Sequence, residues 1–488
     1  MTALALPART VQRVGLLVGL TLSLLVGWFV PELHEIEGYG SRPAWAAAVV
    51  VMMAVFWLTE AVAIEVTACI PLLLFPLLGV YGGGYVSDLG ATALRYLDAY
   101  VLLFFGGMTI GAAIEECGLH RRIALTIMSR LGAEPHRLML GMLAATAFVS
   151  LWISNTATAV MMVPIAVALA KELELALGGR RLVHLGAALM LAVAYGANVG
   201  GIGTKIGTST NSIFAGFVSN RLGTEFGFFQ FSLVAMPFVL LFLPLVWLVL
   251  WVHGRRDGIR TSAGRAVLER ELRALGAPSS RERAVGSVFL GAALLWMASD
   301  LVRPLVAPGF EQLFGFRFQS KHYEAGVALL SGFVLLTTRL LSLRALFSMP
   351  YGSLVLLGGS LAMAGGIEAS GLSAWLSGQL KLLSSLAFPL QILLAAFGTI
   401  GLSAVASNTA TINIVLNVLP QNVTVLFASA LGASCDFMLP AGTPPNAIVF
   451  GSGYIRLSTM IRIGFLLNIL AGLLITAYML GYARFIVP

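Results

Sequence analysis

The sequence predicts an all-α polytopic membrane protein with eleven transmembrane helices and two re-entrant hairpins in inverted repeats. Of its 488 residues, 58% are hydrophobic and 11% are charged, which is more apolar surface than a soluble protein of this length buries. The apolar residues recur in stretches of about 20, the length that crosses a hydrocarbon layer. Two further apolar regions are interrupted by polar motifs that repeat one another. This pattern excludes soluble enzymes, disordered chains, coiled coils and β-barrels.

The uninterrupted apolar segments are each predicted to be one membrane span: 14–30, 45–59, 62–80, 99–114, 232–252, 285–306, 323–338, 351–367 and 460–482. The regions 137–221 and 385–451 are each predicted to be a re-entrant hairpin followed by one crossing helix that breaks midway. Arg9 and Arg13 precede the first apolar run, which we interpret as a retained helix because no cleavage site of small residues follows it.

The basic residues predict the orientation of the chain. With the N-terminus in the cytoplasm, 21 of the 30 Lys and Arg residues lie on the cytoplasmic side and eight lie outside, as the positive-inside rule requires. The C-terminus is then outside, on the periplasmic face of a cell inner membrane. The net charge of +8 therefore indicates orientation and not a nucleic-acid partner. The stretch 254–283 mixes arginine with acidic residues, which favours a cytoplasmic connector over a lipid-binding patch.

Several kinds of site are not expected from this sequence. The cysteines Cys69, Cys117 and Cys435 lie far apart and the six histidines are scattered, so no disulfide framework, haem, zinc or other cofactor is predicted. No Ser–His, Cys–His or carboxylate pair lies beside the repeated motifs, which disfavours a membrane-embedded enzyme. A channel is disfavoured because the polar motifs are duplicated as closed sites.

The chain contains an internal repeat. GGMTIGAAIEECGL at 106–119 resembles GGSLAMAGGIEASGL at 358–372, and an SNTAT motif begins 35 residues after the end of each segment, at Ser154 and Ser407. GTSTN at 207–211 likewise matches GTPPN at 442–446. Under the predicted topology the two hairpins enter the membrane from opposite sides. Inverted repeats with broken helices are an architecture of secondary transporters, whose sites lie near the midplane.

The repeated motifs are suited to binding a cation and an anion together. At the first SNT one helical arm ends with free carbonyl groups and a second arm begins, with Asn155 and Thr156 predicted as its capping residues. Ser150 and Ser154 lie one helical turn apart, and hydroxyl, amide and carbonyl oxygens suit a hard cation such as Na⁺. Four helix N-termini would attract one anion. The alternative is that these residues serve only helix packing, which explains one motif better than four in matching positions.

The paired SNT motifs, the ASCDFMLPAGTPPNAIV stretch at 433–449 and WLTEA at 57–61 resemble the divalent anion/sodium symporter family. The resemblance covers nearly the whole chain. It implies transport of a small dicarboxylate (succinate, malate, fumarate or 2-oxoglutarate) coupled to sodium ions. The alternatives are a sodium-independent dicarboxylate exchanger and a sulfate or tricarboxylate carrier of the same fold.

The resemblance also implies a homodimer in the lipid bilayer in which a transport domain moves like an elevator against a scaffold. We expect the scaffold to comprise residues 1–131 and 284–384, and the transport domain residues 132–253 and 385–488. Residues 254–283 form the connector between the first transport segment and the second scaffold segment.

The family's site residues are carried over motif by motif. One sodium site would use Ser150, Ser154, Asn155 and Gly207, and the other would use Ser403, Ser407, Asn408 and Gly442. The substrate carboxylates would meet Asn155, Thr156, Thr208, Asn408, Thr409, Thr443 and Pro444.

Two ionisable residues within the interrupted helices are candidate modulators, because charge at membrane depth is costly. Lys205 either supplies positive charge at the first cation site, replacing or weakening sodium there, or has a structural role, in which it snorkels to water or pairs with a structural acid. Asp436 is either an extra cation ligand or proton acceptor at the second site, or a satisfied structural carboxylate.

Overall fold

The computed structural model describes residues 8–132, 134–258, 264–379 and 381–487, and the regular elements in these ranges are helices. Their bounds are α1 (Ala8–Phe29), α2 (Arg42–Thr59), α3 (Ile64–Ala68), α4 (Ile70–Leu77), α5 (Tyr85–Arg95), α6 (Ala99–Cys117), α7 (Leu119–Leu131), α8 (Pro135–Ser150), α9 (Asn155–Ala176), α10 (Val183–Gly201), α11 (Ser209–Leu222), α12 (Phe228–Gly254), α13 (Gly264–Leu275), α14 (Ser280–Met297), α15 (Ser299–Phe314), α16 (Ser320–Thr337), α17 (Leu343–Phe347), α18 (Gly352–Ala369), α19 (Leu372–Gln379), α20 (Lys381–Ser384), α21 (Phe388–Ser403), α22 (Asn408–Val418), α23 (Val423–Ala433), α24 (Pro444–Gly451) and α25 (Leu457–Gly481). Short 3₁₀ turns lie at Pro31–Leu33, Arg255–Asp257 and Ala483–Phe485.

The fold is that of a multi-pass helical membrane protein, as the sequence predicts. Within the described residues, seven helical segments are long and apolar enough to cross a membrane alone, and the bent pair α14–α15 adds an eighth. The predicted span 62–80 consists of the two short helices α3 and α4. The predicted total of eleven spans counts this segment and two broken helices as crossings, and it stays a prediction.

One predicted span has a different shape from the one expected. The segment 285–306 does not continue straight, because α14 and α15 meet at an angle of 82°. Asp300 and Arg303 lie just beyond the bend. Both charges therefore lie in the first turns of α15 and not inside one straight span.

The two interrupted regions are each built from four helices in the same order. In the first, α8 ends at Ser150, α9 begins at Asn155, and the crossing helix breaks between α10 and α11. In the second, α21 ends at Ser403, α22 begins at Asn408, and the crossing helix breaks between α23 and α24. The prediction that each SNT ends one helix and starts another is therefore confirmed.

The helices of the two repeats pack against one another. Helix α10 contacts α8, α9 and α12 of its own repeat and α24 of the other, and its residues from Leu185 to Gly201 are all buried. Helix α24 also contacts α9, while α11 contacts α22 and α23. Each broken helix therefore lies against the hairpin of the opposite copy, which brings the four motifs into one region.

The predicted connector contains the amphipathic helix α13, which packs against α7 and α9. Beyond its end, Arg122 of α7 bonds the carboxylate of Glu282 at 3.0 Å and the carbonyls of Leu275 and Gly276. Arg121 pairs with Glu271. The helical part of the connector is thus held on the protein surface by ion pairs.

Candidate functional site

A cluster of three oxygen atoms lies where the first hairpin meets α10. The hydroxyl Oγ of Ser150 is 2.7 Å from Oδ1 of Asn155 and 2.9 Å from the carbonyl oxygen of Ala197. A serine hydroxyl has one hydrogen to donate, so it serves these two acceptors with a single hydrogen. We call these three atoms the first oxygen triad, and Ser150 itself is fully buried.

The second repeat builds the same arrangement. The hydroxyl Oγ of Ser403 is 2.7 Å from Oδ1 of Asn408 and 2.8 Å from the carbonyl oxygen of Ala433. We call these atoms the second oxygen triad. Hydroxyl, amide and carbonyl oxygens at this spacing are the ligand types of hard cations. The internal repeat of the sequence therefore extends to the atomic contacts.

The helix starts at the hairpin tips are capped one residue earlier than expected. Ser154, and not Asn155 or Thr156, is the N-cap of α9, and its Oγ accepts the N–H of Ala157 at 3.3 Å. Ser and Asn are both favourable N-caps, so the motif alone does not decide between them. The correction frees the Asn155 amide for the first triad.

The corresponding cap of α22 is Ser407, whose Oγ accepts the N–H of Ala410 at 3.2 Å. Both predicted sodium ligands Ser154 and Ser407 therefore have a structural hydrogen bond in addition to any other role.

The breaks in the two crossing helices are held by equivalent asparagines. Nδ2 of Asn211 donates to the carbonyls of Gly201, Ile202 and Thr204 at 2.7–3.1 Å. The carbonyls of Gly201 and Ile202 lie at the C-terminal end of α10, where intrahelical partners end, whereas the carbonyl of Thr204 also accepts the N–H of Gly207 at 3.4 Å. Asn211, the last residue of GTSTN, thus stabilises the irregular segment 202–208 through hydrogen bonds to backbone carbonyls within it and next to its start.

Asn446, the last residue of GTPPN, does the same in the second copy. Its Nδ2 donates to the carbonyls of Asp436 and Leu439, ten and seven residues earlier, at 3.3 and 3.0 Å. The helix that follows is capped by Thr443, whose Oγ1 accepts the N–H of Asn446 at 3.3 Å. Thr208 is the equivalent N-cap of α11 but makes no capping bond through its side chain.

Direct hydrogen bonds join the motifs of the two repeats. Ser209 Oγ lies 3.0 Å from Oγ1 of Thr409, which links the first broken helix to the second hairpin tip. Thr210 Oγ1 lies 3.1 Å from Oγ of Ser434, which links the start of α11 to the residue that follows α23. Nδ2 of Asn198 lies 3.1 Å from Oγ1 of Thr443. The first copy therefore contacts both polar motifs of the second copy, SNTAT through Thr409 and GTPPN through Thr443.

Glycine permits the close approach of these segments. A Cβ at Gly201 would overlap Oδ1 of Asn155, and a Cβ at Gly207 would overlap the carbonyl oxygen of Gly201. A Cβ at Gly442 would overlap Oδ2 of Asp436. Gly207 and Gly442, both predicted sodium ligands, lie where only a backbone without a side chain fits.

The predicted substrate residues differ in their access to the surroundings. Thr156 is exposed, together with Ser154, on a cavity of about 530 Å³ that is also lined by Glu115, Glu116 and Ser353. Thr208, Asn408 and Thr409 are partly buried, Thr443 is buried and Pro444 is exposed. The structure brings these residues into one region but holds them at different depths.

The ammonium group of Lys205 contacts Glu324 and Tyr100, which do not belong to the first triad. Its Nζ is 2.6 Å from Oε2 of Glu324 in α16, and both side chains are fully buried. The same ammonium group lies 5.4 Å from the centre of the Tyr100 ring. Of the roles that the sequence left open for Lys205, its contacts display pairing with an acid, and its burial is not that of a side chain that snorkels to water.

The family model described as the sodium:sulfate symporter transmembrane region matches residues 12–487. The chain belongs to this family. The assignment confirms the resemblance drawn from the SNT motifs.

Relatives within this symporter family include proteins named sodium-dependent dicarboxylate transporter SdcS. The protein of Staphylococcus saprophyticus is 32% identical over 481 residues, covering 94% of this chain and 90% of its own. That of Staphylococcus aureus strain MRSA252 is 32% identical over 493 residues, covering 96% and 91%. Among solved structures, the Alcanivorax borkumensis YdaH transporter superimposes with a TM-score of 0.56 at 14% identity, covering 99% of this chain and 100% of that one. This last likeness concerns the fold alone.

Several residues of this symporter's site were not foreseen from the sequence. The carbonyls of Ala197 and Ala433 are backbone groups, which any residue type supplies. Asn198 and Glu324 stand outside the repeated motifs, so their positions carry no local pattern. Asn211 and Asn446 were detectable as the shared last residue of GTSTN and GTPPN.

Proposed function

We propose that this protein is a secondary active transporter that carries a small dicarboxylate together with sodium ions. The observation that carries the proposal is the pair of oxygen triads at Ser150 and Ser403, each with three oxygens that share one hydroxyl hydrogen. A sodium ion bound to such a triad would satisfy the oxygens that the single hydrogen leaves without a donor. Ser154, Gly207, Ser407 and Gly442 complete the two proposed sodium sites.

The substrate would lie between the helix starts of the two copies. Helices α9, α11, α22 and α24 begin in this region, and their free N–H groups and positive dipole ends attract carboxylates. The proposed contacts are Asn155, Thr156, Thr208, Asn408, Thr409, Thr443 and Pro444. The nearby ammonium of Lys205 is paired with Glu324, which supports recognition by neutral donors and sodium in place of a basic side chain.

Sodium coupling follows from electrostatics in this account. A dicarboxylate carries two negative charges, and moving them to the membrane midplane without counterions is strongly unfavourable. Two sodium ions at the triads would neutralise that charge next to the substrate. The SdcS relatives are named as sodium-dependent dicarboxylate transporters, which supports both the ion and the substrate class.

The transport cycle would use the predicted domains. Residues 132–253 and 385–488 would move as the transport domain against a scaffold of residues 1–131 and 284–384, in a homodimer. The N-terminus would be cytoplasmic and the C-terminus periplasmic in a cell inner membrane. The 530 Å³ cavity beside Ser154 and Thr156 is lined by Glu116 and Ser353, which this topology assigns to the cytoplasmic side, so it would be the inward route for substrate.

The sodium-independent exchanger was motivated by a free positive charge at Lys205. The ion pair with Glu324 makes that alternative less favourable, because the ammonium charge is already compensated. The other alternative, a sulfate or tricarboxylate carrier, differs only in the anion. The names of the relatives favour a dicarboxylate.

Thermal unfolding of the purified protein with candidate anions tests substrate class and ion together. We expect succinate, malate, fumarate or 2-oxoglutarate to raise the unfolding temperature in sodium chloride and to have little effect in choline chloride. Stabilisation that is equal in both salts would support the exchanger instead. Stabilisation by sulfate or citrate alone would overturn the dicarboxylate assignment.

A further inference from the structure

Asp436 is the single acidic residue in the two breaks of the crossing helices, 202–208 and 434–443. Its equivalent in the first copy is Gly201. Asp436 lies six residues before Gly442 of GTPPN, and Gly201 lies six residues before Gly207 of GTSTN; we call these two motifs the GT motifs. The second copy therefore carries a carboxylate where the first carries none. The two otherwise matching sites differ in charge.

The carboxylate of Asp436 is buried and incompletely paired. Its side chain has no exposed surface, and Oδ1 accepts the N–H of Met438 at 3.3 Å. Within the described ranges, Oδ2 has no hydrogen-bond partner and no basic side chain lies within ion-pair distance. A buried carboxylate in this state is expensive unless a cation compensates it.

A second buried carboxylate in the same protein shows what a structural role requires. Asp88 also has no exposed surface. Its two oxygens accept three backbone N–H groups, from Tyr81, Gly82 and Gly83, at 2.9–3.2 Å. Asp436 has one such bond. Its Oδ2 instead lies against Gly442, where a side chain would overlap it.

A second unpaired acceptor belongs to the same buried cluster. Asn198 is fully buried and its Nδ2 lies 3.4 Å from the carbonyl oxygen of Asp436. Among the residues that the structure describes, Oδ1 of Asn198 has no hydrogen-bond partner. The preceding residue of α10, Ala197, supplies a carbonyl to the first triad. Oδ2 of Asp436 and Oδ1 of Asn198 are thus two buried side-chain oxygens that could bind a cation.

We propose that Asp436 is an anionic ligand of sodium at the second site, beside Gly442 and three residues after Ala433, whose carbonyl belongs to the second oxygen triad. This inference rests on the proposed sodium-coupled function. Carboxylate and amide oxygens are preferred ligands of hard cations. The first triad has only neutral oxygens, so the site at Ser403 binds sodium more tightly than the site at Ser150 and fills first.

The test uses the full-length purified protein in detergent micelles at fixed pH without substrate. Sodium chloride replaces choline chloride at constant ionic strength, and the unfolding temperature is followed. For Asp436→Asn we expect the half-stabilising sodium concentration to rise at least tenfold. In sodium-free buffer this variant unfolds at a higher temperature than the wild type, because an uncompensated buried charge is gone.

Two further variants make the test specific. Asp300→Asn removes a partly exposed carboxylate of α15 and keeps the sodium response of the wild type. If Asp436→Asn does not fold, Asp436→Ser serves instead. It also removes the carboxylate and leaves Gly442 unchanged, so we expect the same weakening of the sodium response.

Two results would overturn the inference. One is an unchanged sodium response in Asp436→Asn, and the other is lower stability of this variant in sodium-free buffer. Repeating the titration at several pH values distinguishes the alternative role, because a carboxyl that holds a proton gives an unchanged sodium response together with a pH dependence that Asp436→Asn loses. If the wild type itself shows no sodium response and no sodium-dependent transport, the proposed function fails, and that outcome is distinct from both.

Discussion

Nζ of Lys205 lies 2.6 Å from Oε2 of Glu324, and neither side chain has exposed surface. The pair joins the break of the first crossing helix to α16, which carries none of the repeated motifs. The backbone N–H of Phe228 donates to the other carboxylate oxygen of Glu324. Because both charges are removed from solvent, each depends on the other for compensation.

Removing one partner of this pair is expected to be strongly destabilising. Lys205→Met or Glu324→Gln leaves an uncompensated buried charge, at a cost of about 3–5 kcal/mol. The double variant loses both charges and is less destabilised than the sum of the single variants. Chemical unfolding of the four proteins in micelles measures the coupling. Single variants as stable as the wild type would contradict the interpretation of the pair.

Each triad serine is expected to contribute to one sodium site. Ser150→Ala and Ser403→Ala each remove one of three clustered oxygens, so the sodium concentration for half-maximal succinate binding rises about tenfold in each, equivalent to about 1.4 kcal/mol. Ser429→Ala is the matched control, since its buried hydroxyl donates within its own helix to Leu426. If Ser429→Ala raised the required sodium concentration as much as the two triad variants do, the triads would not be the sodium sites.

The asparagine at the end of each GT motif is expected to be essential as a hydrogen-bond donor. In Asn211→Asp the carboxylate cannot donate to the carbonyls of Gly201 and Ile202, and each buried carbonyl left without a donor costs about 1–3 kcal/mol. Asn446→Asp should behave alike. The unfolding temperature measures the loss. Asn417→Asp, whose amide donates to a single carbonyl one turn earlier, should be milder, and a reversed order would count against this reading.

Gly201 is expected to tolerate no side chain. In Gly201→Ala the Cβ displaces Oδ1 of Asn155 from the first triad, which weakens sodium binding through the geometry of an unchanged amide. Gly401→Ala is the control, because a Cβ there meets no atom within 4 Å and alanine favours the helix. Sodium titration of the unfolding temperature compares the two. If the sodium titration of Gly201→Ala matched that of the wild type, Asn155 would not be a sodium ligand.

The cavity beside the first hairpin tip is expected to open to the cytoplasm. A cysteine at Thr156, in a background in which Cys69 and Cys117 are replaced by serine, should react with a membrane-impermeant thiol reagent in inside-out vesicles. Sodium and succinate should slow the reaction, since the substrate would cover this position. Labelling confined to right-side-out vesicles would contradict the proposed orientation.

Much of the site was predictable because irregular backbone leaves a side-chain signature. The SNT motifs and the GTSTN and GTPPN motifs mark the helix ends of the two repeats, and the identical spacing of the SNT motifs in both copies predicts where the hairpin arms end and begin. The structure has those breaks, between Ser150 and Asn155 and between Ser403 and Asn408. The side chains of the triads were therefore expected at these positions, and their role as sodium ligands stays a prediction.

The remaining features depend on contacts that one chain segment does not encode. The carbonyls of Ala197 and Ala433 enter the triads through packing, and alanine gives no hint of that role. A lysine within an apolar region indicates that an acidic partner is nearby. Its partner Glu324 lies 119 residues away in the sequence, so the pairing is visible only in the three-dimensional structure. The cap at Ser154 was missed because serine and asparagine cap helices about equally well.

The most direct test of sodium-coupled dicarboxylate transport is uptake of radiolabelled succinate into proteoliposomes. The purified protein is reconstituted in sodium-free buffer and diluted into sodium chloride or choline chloride. We expect an inward sodium gradient to drive succinate above its external concentration, with little uptake in choline. Uptake that is equal in both salts, or that requires only internal dicarboxylate, would contradict sodium coupling.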